Sequence, residues 1–397
     1  MEAGVARGRA ELGWRLWALV PVVLLALAVG GYVASGSSLA GLIGTNPPPA
    51  DEFDVRRVEF EPGEIRVRVT NPQADDLTIA SVTVDDAIVP FRLDGPRTLS
   101  RLRSSTIVVP FQWVEDDPIT VGVTSSTGIE TVAAIPAAVE TPGVSGSAFL
   151  GYAIIGFLVG VLPVALGLLW LPSLRRAGRH WLTAFMALTA GLLTYLGFSA
   201  LFEAFQFQAA VPGAFGGPGL VLLGVALSYL GMTFISTRFS AGETGLGGAA
   251  LALLVAIGIG VHNFGEGLAI GTSFAFGELT LGSFLIVGFM VHNVTEGLGI
   301  AAPVADGGSR LSWPRLAALA LIAGAPAIFG AWTGGFVAND VLAVVFFGAA
   351  AGAAFEVVVE VVRHIARRDP AGLRSGYAIG GFLAGIAVMY ATGILAG

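Results

Sequence analysis

Two stretches of this 397-residue chain carry groups able to hold a metal ion. "VHNFGEGLAIG" runs from Val261 to Gly271, and "VHNVTEGLGIA" runs from Val291 to Ala301. The first supplies His262, Asn263 and Glu266; the second supplies His292, Asn293 and Glu296. Both lie inside long apolar runs. An ionisable side chain at the centre of such a run costs about 2.5–3.5 kcal/mol on insertion scales. A lone intramembrane histidine or asparagine commonly serves as hydrogen-bond glue between helices. Two copies of one H-N-x-x-E-G pattern point instead to a shared site. On a helix, residues i and i+4 stand about 40° apart and i and i+1 about 100° apart. Each glutamate therefore lies between its histidine and its asparagine on one polar arc. A carboxylate so placed can share an ion with either neighbour, or bridge two ions. The set of imidazole, carboxylate and amide oxygen suits zinc, iron or manganese. Gly267 and Gly297 follow the two glutamates, where a small residue lets another helix come close.

The elements that must position these groups are membrane-spanning helices. The chain is 54% hydrophobic and only 12% charged, against roughly 25% charged in a soluble domain. It has no cysteine, which excludes disulfides and thiolate zinc sites. No basic cluster is interleaved with aromatics, so nucleic acid is not an expected partner. Eight apolar runs follow residue 147, at about 147–171, 181–207, 219–237, 247–275, 281–303, 313–335, 340–363 and 374–396. Each is near or above the ~20 residues needed to cross a bilayer. Spans four and five carry the two motifs. Gly277 lies midway between His262 and His292, so a hairpin turning there sets the two histidines at similar depth. Antiparallel copies of one motif at one depth are the pattern of inverted repeats, which transporters use to build midplane sites.

Two segments precede the bundle. Leu16 to about Val33 is apolar and follows Arg7, Arg9 and Arg15. Residues 1–45 therefore read as a cytoplasmic N-terminus and a transmembrane anchor, with a cleaved signal sequence as the alternative. Residues 46–142 alternate polar and apolar in stretches such as "EIRVRVTN" and "ITVGVTSS", the period of β-strands. About seven short strands make this a small extracytoplasmic β-sandwich. Residues 51–141 hold 16 acidic and 8 basic residues, a net of −8. Asp75–Asp76, Asp85–Asp86 and Glu115–Asp116–Asp117 read as solvated surface. If the sandwich is outside, Arg175, Arg176, Arg179, Arg238, Arg310, Arg315, Arg363, Arg367, Arg368 and Arg374 fall at the cytoplasmic ends, and loops 208–218, 276–280 and 336–339 contain no arginine. The positive-inside rule then gives nine spans, with the N-terminus cytoplasmic and the C-terminus outside. The expected location is the plasma membrane.

Other intramembrane polar groups are few. Span seven carries Glu356, Glu360 and His364 at i, i+4 and i+8, and span two carries Glu203 toward its outer end. Glu360 reads as part of the metal path. Glu356 and His364 extend the same stripe toward the cytoplasm, and Glu203 stands where an outer entrance would be.

At the paired motifs the sequence resembles the ZIP (Zrt/Irt-like) family of divalent metal transporters. "HNFGEG" and "HNVTEG" match that family's fourth- and fifth-span motifs, and "GAAAGAAFEVVVEVV" at 348–362 resembles its seventh span. The resemblance covers about residues 147–397. It implies an all-α eight-helix bundle with inverted repeats and a binuclear site. His262, Glu266 and Glu296 would form one centre, and Asn263 and Asn293 the other, with Glu296 bridging. It implies import of the ion by alternating access. The ion is cargo, so no resident cofactor and no enzymatic activity are expected; the partners are the divalent cation and the lipid bilayer, and a homodimer is an admissible assembly. One position departs from the family pattern: Ala325 stands before Pro326, where the family often has a glutamate that completes the second centre. Two other function classes fit part of the pattern, a metal-dependent intramembrane hydrolase and a metal sensor with a signalling sandwich.

Overall fold

The computed structural model describes residues 51–396 except 74, 142–144, 212–216, 240–245, 276–278, 309–310, 338 and 369–370, together with Val23, Ala26 and Leu27. The expected anchor at Leu16 to Val33 lies largely outside the described residues, and so does the nine-span count that depends on it.

The regular elements between residues 51 and 141 are all β-strands among the described residues. Its strands are β1 (Asp54–Glu61), β2 (Glu64–Thr70), β3 (Leu77–Val84), β4 (Ala87–Ile88), β5 (Arg92–Asp94), β6 (Thr98–Leu99), β7 (Ser104–Pro110), β8 (Ile119–Ser125) and β9 (Glu130–Ile135). They form two sheets. One has the order β1-β2-β7-β5, and the other β4-β3-β8-β9 with β6 also paired to β3. Alternation explains the packing, because successive side chains in a strand point to opposite faces. In β2, Ile65, Val67 and Val69 are buried while Arg68 is exposed. Ile79, Val82 and Val84 of β3 join Ile107 and Val109 of β7 and Val121 and Val123 of β8 in one core shared by both sheets. The expectation of about seven strands missed the two-residue pieces β4 and β6, which are too short to show a period. The pair Asp85–Asp86 makes the tight turn between β3 and β4, with φ of 49° and 63°. Asp85 Oδ1 also accepts the Thr120 N–H at 2.8 Å, so this acidic pair serves the turn.

Eight helices among the described residues are long and apolar enough to cross a membrane. Numbered to match the eight apolar runs, they are α1 (Gly146–Leu174), α2 (Arg179–Ala210), α3 (Pro218–Phe239), α4 (Gly248–Ala275), α5 (Leu279–Asp306), α6 (Trp313–Phe336), α7 (Asp340–Arg368) and α8 (Gly376–Ala396). The protein is therefore mostly helical, as a polytopic membrane bundle requires. Successive motif helices run in opposite directions, with the start of α4 against the end of α5 (Gly248 on Gly307) and the end of α4 against the end of α6 (Gly271 on Gly335). The ends at 210, 275 and 336 lie on the same side as the β region. Arg57 Nη1 of β1 donates to the Phe336 carbonyl at the end of α6, at 3.0 Å.

Two helices are interrupted, each near a proline. In α1 a π-helical turn, Phe157–Val161, precedes Pro163. In α6 the helix Trp313–Gly324 ends at Ala325, and a second one starts at Pro326. Proline has no N–H to give to the carbonyl four residues back and crowds it as well. These interrupted helices are the neighbours of the two motif helices. A Cβ added at Gly267 of α4 would collide with the Ala327 carbonyl of α6, and one added at Gly297 of α5 would collide with the Val164 carbonyl of α1. Glycine at both positions allows backbone to lie on backbone.

Candidate metal centre

The two motifs meet in the interior of the bundle. His262, Glu266, His292 and Glu296 are all buried, and each offers a ligand atom within 4.8 Å of those of the others. Two donors that share a zinc ion at about 2.0–2.2 Å stand roughly 3–4 Å apart. Small side-chain adjustments therefore bring the four groups into one coordination shell.

The two carboxylates have different surroundings. Glu266 Oε1 lies 3.3 Å from His262 Nε2 and 2.5 Å from His292 Nε2. Its other oxygen accepts from Asn293 Nδ2 at 2.9 Å. One carboxylate thus gathers a histidine from its own helix and a histidine and an asparagine from the next. Glu296 is only 1% exposed, yet neither of its oxygens has a hydrogen-bond partner of normal geometry. Leaving a carboxylate buried without donors is unfavourable. A bound cation would remove that cost.

The asparagines divide their two ends. Asn263 Nδ2 donates to the Ala323 carbonyl of α6 at 3.0 Å, three residues before Pro326. Asn293 Nδ2 donates to the Val159 carbonyl of α1 at 3.0 Å, four residues before Pro163. Each amide nitrogen therefore ties a motif helix to an interrupted neighbour. Each amide oxygen, Asn263 Oδ1 and Asn293 Oδ1, is buried with no donor. Glue and ligand are not exclusive here, because the nitrogen holds the helix while the oxygen stays available to a cation.

No protein-family model matches this chain, and no curated protein matches it. The reading of the site rests on its residues.

A cavity of about 510 Å³ reaches the cluster. It is lined by His262, Glu266 and His292, and by Thr272 and Ser273 near the end of α4 and Leu285 near the start of α5. Its far end is therefore on the β-region side. Glu296 does not line it and lies beneath. The walls are mostly apolar, from residues such as Phe207, Phe289 and Phe347, and Glu203 of α2 is the one carboxylate in the lining besides Glu266. The structure thus brings Glu203 to the same space as the motif histidines, where the sequence only placed it near an end.

The α7 residues lie elsewhere. Glu356 accepts from Ser236 Oγ of α3 at 3.3 Å, which turns it toward α3. Glu360 pairs with Arg363 at 2.7 Å, one turn away. His364 Nε2 meets Asp306 Oδ2 of α5 at 2.8 Å. Among the described residues, none of the three belongs to the four-residue cluster. Ala325 caps the second half of α6 with its backbone and brings no ligand. Asp306 was missed by sequence reasoning. A single aspartate at the end of an apolar run reads as a helix terminus, and its partners are 58 and 62 residues further on.

Proposed function

We propose that the protein is a membrane transporter of divalent metal cations, zinc foremost, with iron or manganese as the other candidates. The observation that carries the reading is the buried cluster of His262, Glu266, His292 and Glu296 at the foot of a cavity inside an eight-helix bundle. A mixed set of imidazole and carboxylate donors suits these ions. Ionisable groups concentrated on facing helices inside a bundle are what an ion path requires. The resemblance of the two H-N-x-x-E-G motifs to those of the ZIP family supports the same reading.

In this mechanism the ion enters the cavity from the β-region side, which faces out of the cell. Glu203 attracts it within the apolar walls. His262, Glu266 and His292 are the first ligands it reaches. Glu296 binds from below, and its charge is neutralised by the ion. Asn263 and Asn293 offer their free amide oxygens. The ion displaces the contacts of His292 and Asn293 to Glu266, so binding changes the packing of α4 on α5. That differential contact is what lets a ligand shift a conformational equilibrium. Release follows on the opposite, cytoplasmic side, past Glu356 and Glu360 of α7. The inverted relation of α4 and α5 accounts for the pairing of each with an interrupted helix, α6 and α1. The ion is carried, and no bond of a substrate is broken.

The test is flux. Purified protein in liposomes is given a panel of divalent metals, with and without a pH gradient. Wild type accumulates at least one of them, and Glu266→Ala and Glu296→Ala do not. Uptake at the wild-type rate in both variants would sink the assignment of the site.

A further inference from the structure

The cavity opens from the metal cluster toward one end of the bundle, and the opposite end carries a set of ion contacts. Asp306 is the last residue of α5, the helix that holds His292 and Glu296. Its Oδ2 meets His364 Nε2 of α7 at 2.8 Å and Arg368 Nη1 of α7 at 2.5 Å. Arg368 Nη1 also donates to the Asp306 backbone carbonyl. Arg179, at the start of α2, donates to the Arg368 carbonyl at 2.6 Å. The second nitrogen of His364 is directed elsewhere. Its Nδ1 lies 3.3 Å from the carbonyl of Leu246, just before α4 begins. One imidazole of α7 therefore touches the distal ends of both motif helices, α5 through Asp306 and α4 through Leu246. His364 and Asp306 are largely shielded, with side-chain exposures of 9% and 16%, while Arg368 is about half exposed.

We infer that Asp306, His364 and Arg368 form a latch that closes the end of the bundle opposite the cavity. Asp306 is a positioning residue. It does not reach the metal, and it acts by holding the distal end of α5 against α7. The groups facing His364 are Asp306 from α5, the Leu246 carbonyl ahead of α4, and Arg368 from its own helix. Arg179 of α2 lines the same recess. These contacts add α7 to the distal ends of α4 and α5, where Gly248 already lies against Pro303 and Gly307, and in the latched form the cavity is the route by which water reaches the cluster. For an ion to leave distally, α5 must part from α7, and the Asp306 contacts are those that then break. The latch rests on the transport reading only for its purpose. Its closure is a property of the fold and is measured without any metal.

The natural absence of cysteine makes the test direct. Ala302 is buried on α5, one turn from Asp306 on the same face. Ala302→Cys serves as the distal reporter, and Thr272→Cys in the cavity lining serves as the control. Each is made in the full chain in liposomes and labelled with a membrane-impermeant thiol reagent. The distal reporter labels slowly in the otherwise unchanged protein. It labels at least ~10-fold faster with Asp306→Ala or Arg368→Ala, and returns to the slow rate with Asp306→Glu, which keeps the carboxylate. The control labels at one rate in all backgrounds. That constancy, with an unchanged thermal midpoint, shows that the variants are folded. Unchanged distal labelling in both alanine variants overturns the latch. Distal labelling with Asp306→Glu as fast as with Asp306→Ala overturns it as well. Loss of metal flux with an intact labelling pattern bears on the transport reading alone.

Discussion

The two copies of the motif are nearly identical in sequence and differ in what surrounds their carboxylates. Glu266 gathers donors from His262, His292 and Asn293. Glu296, on the equivalent position of α5, has none of normal geometry. The rest of the two copies is matched. Each asparagine amide ties to a carbonyl near a proline, and each glycine lies against the backbone of an interrupted helix. The lesson is that repetition sets the frame of the site, while the difference between the carboxylates comes mainly from His292 and Asn293 of the neighbouring helix, which turn to Glu266. One carboxylate is surrounded by donors, and the other is buried without a hydrogen bond of normal geometry.

The largest break in this comparison is removal of the organised carboxylate. Even a group that only hydrogen-bonds to a metal's ligand typically contributes 10–100-fold in affinity. Glu266→Ala is therefore expected to weaken metal binding about 100-fold or more in titration calorimetry of the detergent-solubilised protein. A loss below tenfold would place the ion elsewhere. Next come the matched glycines. Gly267→Ala and Gly297→Ala each force a methyl group against a carbonyl of another helix, and overpacking costs about 1–3 kcal/mol. The two should lower thermal stability to a similar extent. A large difference would mean that the frame is not matched after all.

The sharpest test of the asymmetry uses one substitution at both positions. Hydrogen bonds to charged groups contribute about 1.5–3 kcal/mol. Glu266→Gln should therefore lower the stability of the metal-free protein by about 1.5 kcal/mol or more, because it removes the charge that His262, His292 and Asn293 surround. Glu296→Gln acts on a carboxylate that has no hydrogen bond of normal geometry and lies close to the Glu266 charge; it should leave the metal-free protein as stable or more so, while still weakening metal binding. Thermal unfolding with and without chelator separates the two, and equal destabilisation would refute the difference. The smallest effect is that of Asn263→Ala. An interhelical hydrogen bond in a membrane protein averages about 0.6 kcal/mol, with a maximum near 1.7, so a loss in that range is expected from the tie to Ala323. Asn293→Ala should cost more, since Asn293 also bonds to Glu266.

The bundle and the cluster were legible in the sequence for a simple reason. Crossing helices announce themselves by length and apolarity, and a repeated polar triplet stands out inside them. His262, Glu266, His292 and Glu296 were found in this way. The difference between Glu266 and Glu296 was not legible, because the spacing is the same in both copies and the donors come from across the hairpin. Nor could the sequence assign Asn263 to Ala323 or Asn293 to Val159, since those acceptors are backbone carbonyls and have no signature. The stripe of Glu356, Glu360 and His364 was visible as a period. Arg363 is one turn along α7 from Glu360, whereas the partners Ser236 and Asp306 depend on where α3 and α5 lie beside α7.

The contact between Arg57 and the Phe336 carbonyl has a consequence for the β region. Phe336 ends α6, and thirteen residues earlier in that helix is Ala323, whose carbonyl is bonded to Asn263. At 1.5 Å per residue this is a lever arm of ~20 Å. The sheet therefore holds the far end of the second half of α6, which meets at Ala325 the half whose Ala323 carbonyl is tied to the motif. Anything that pulls on or immobilises that sheet acts on the same helix that holds Asn263 beside the buried His/Glu cluster.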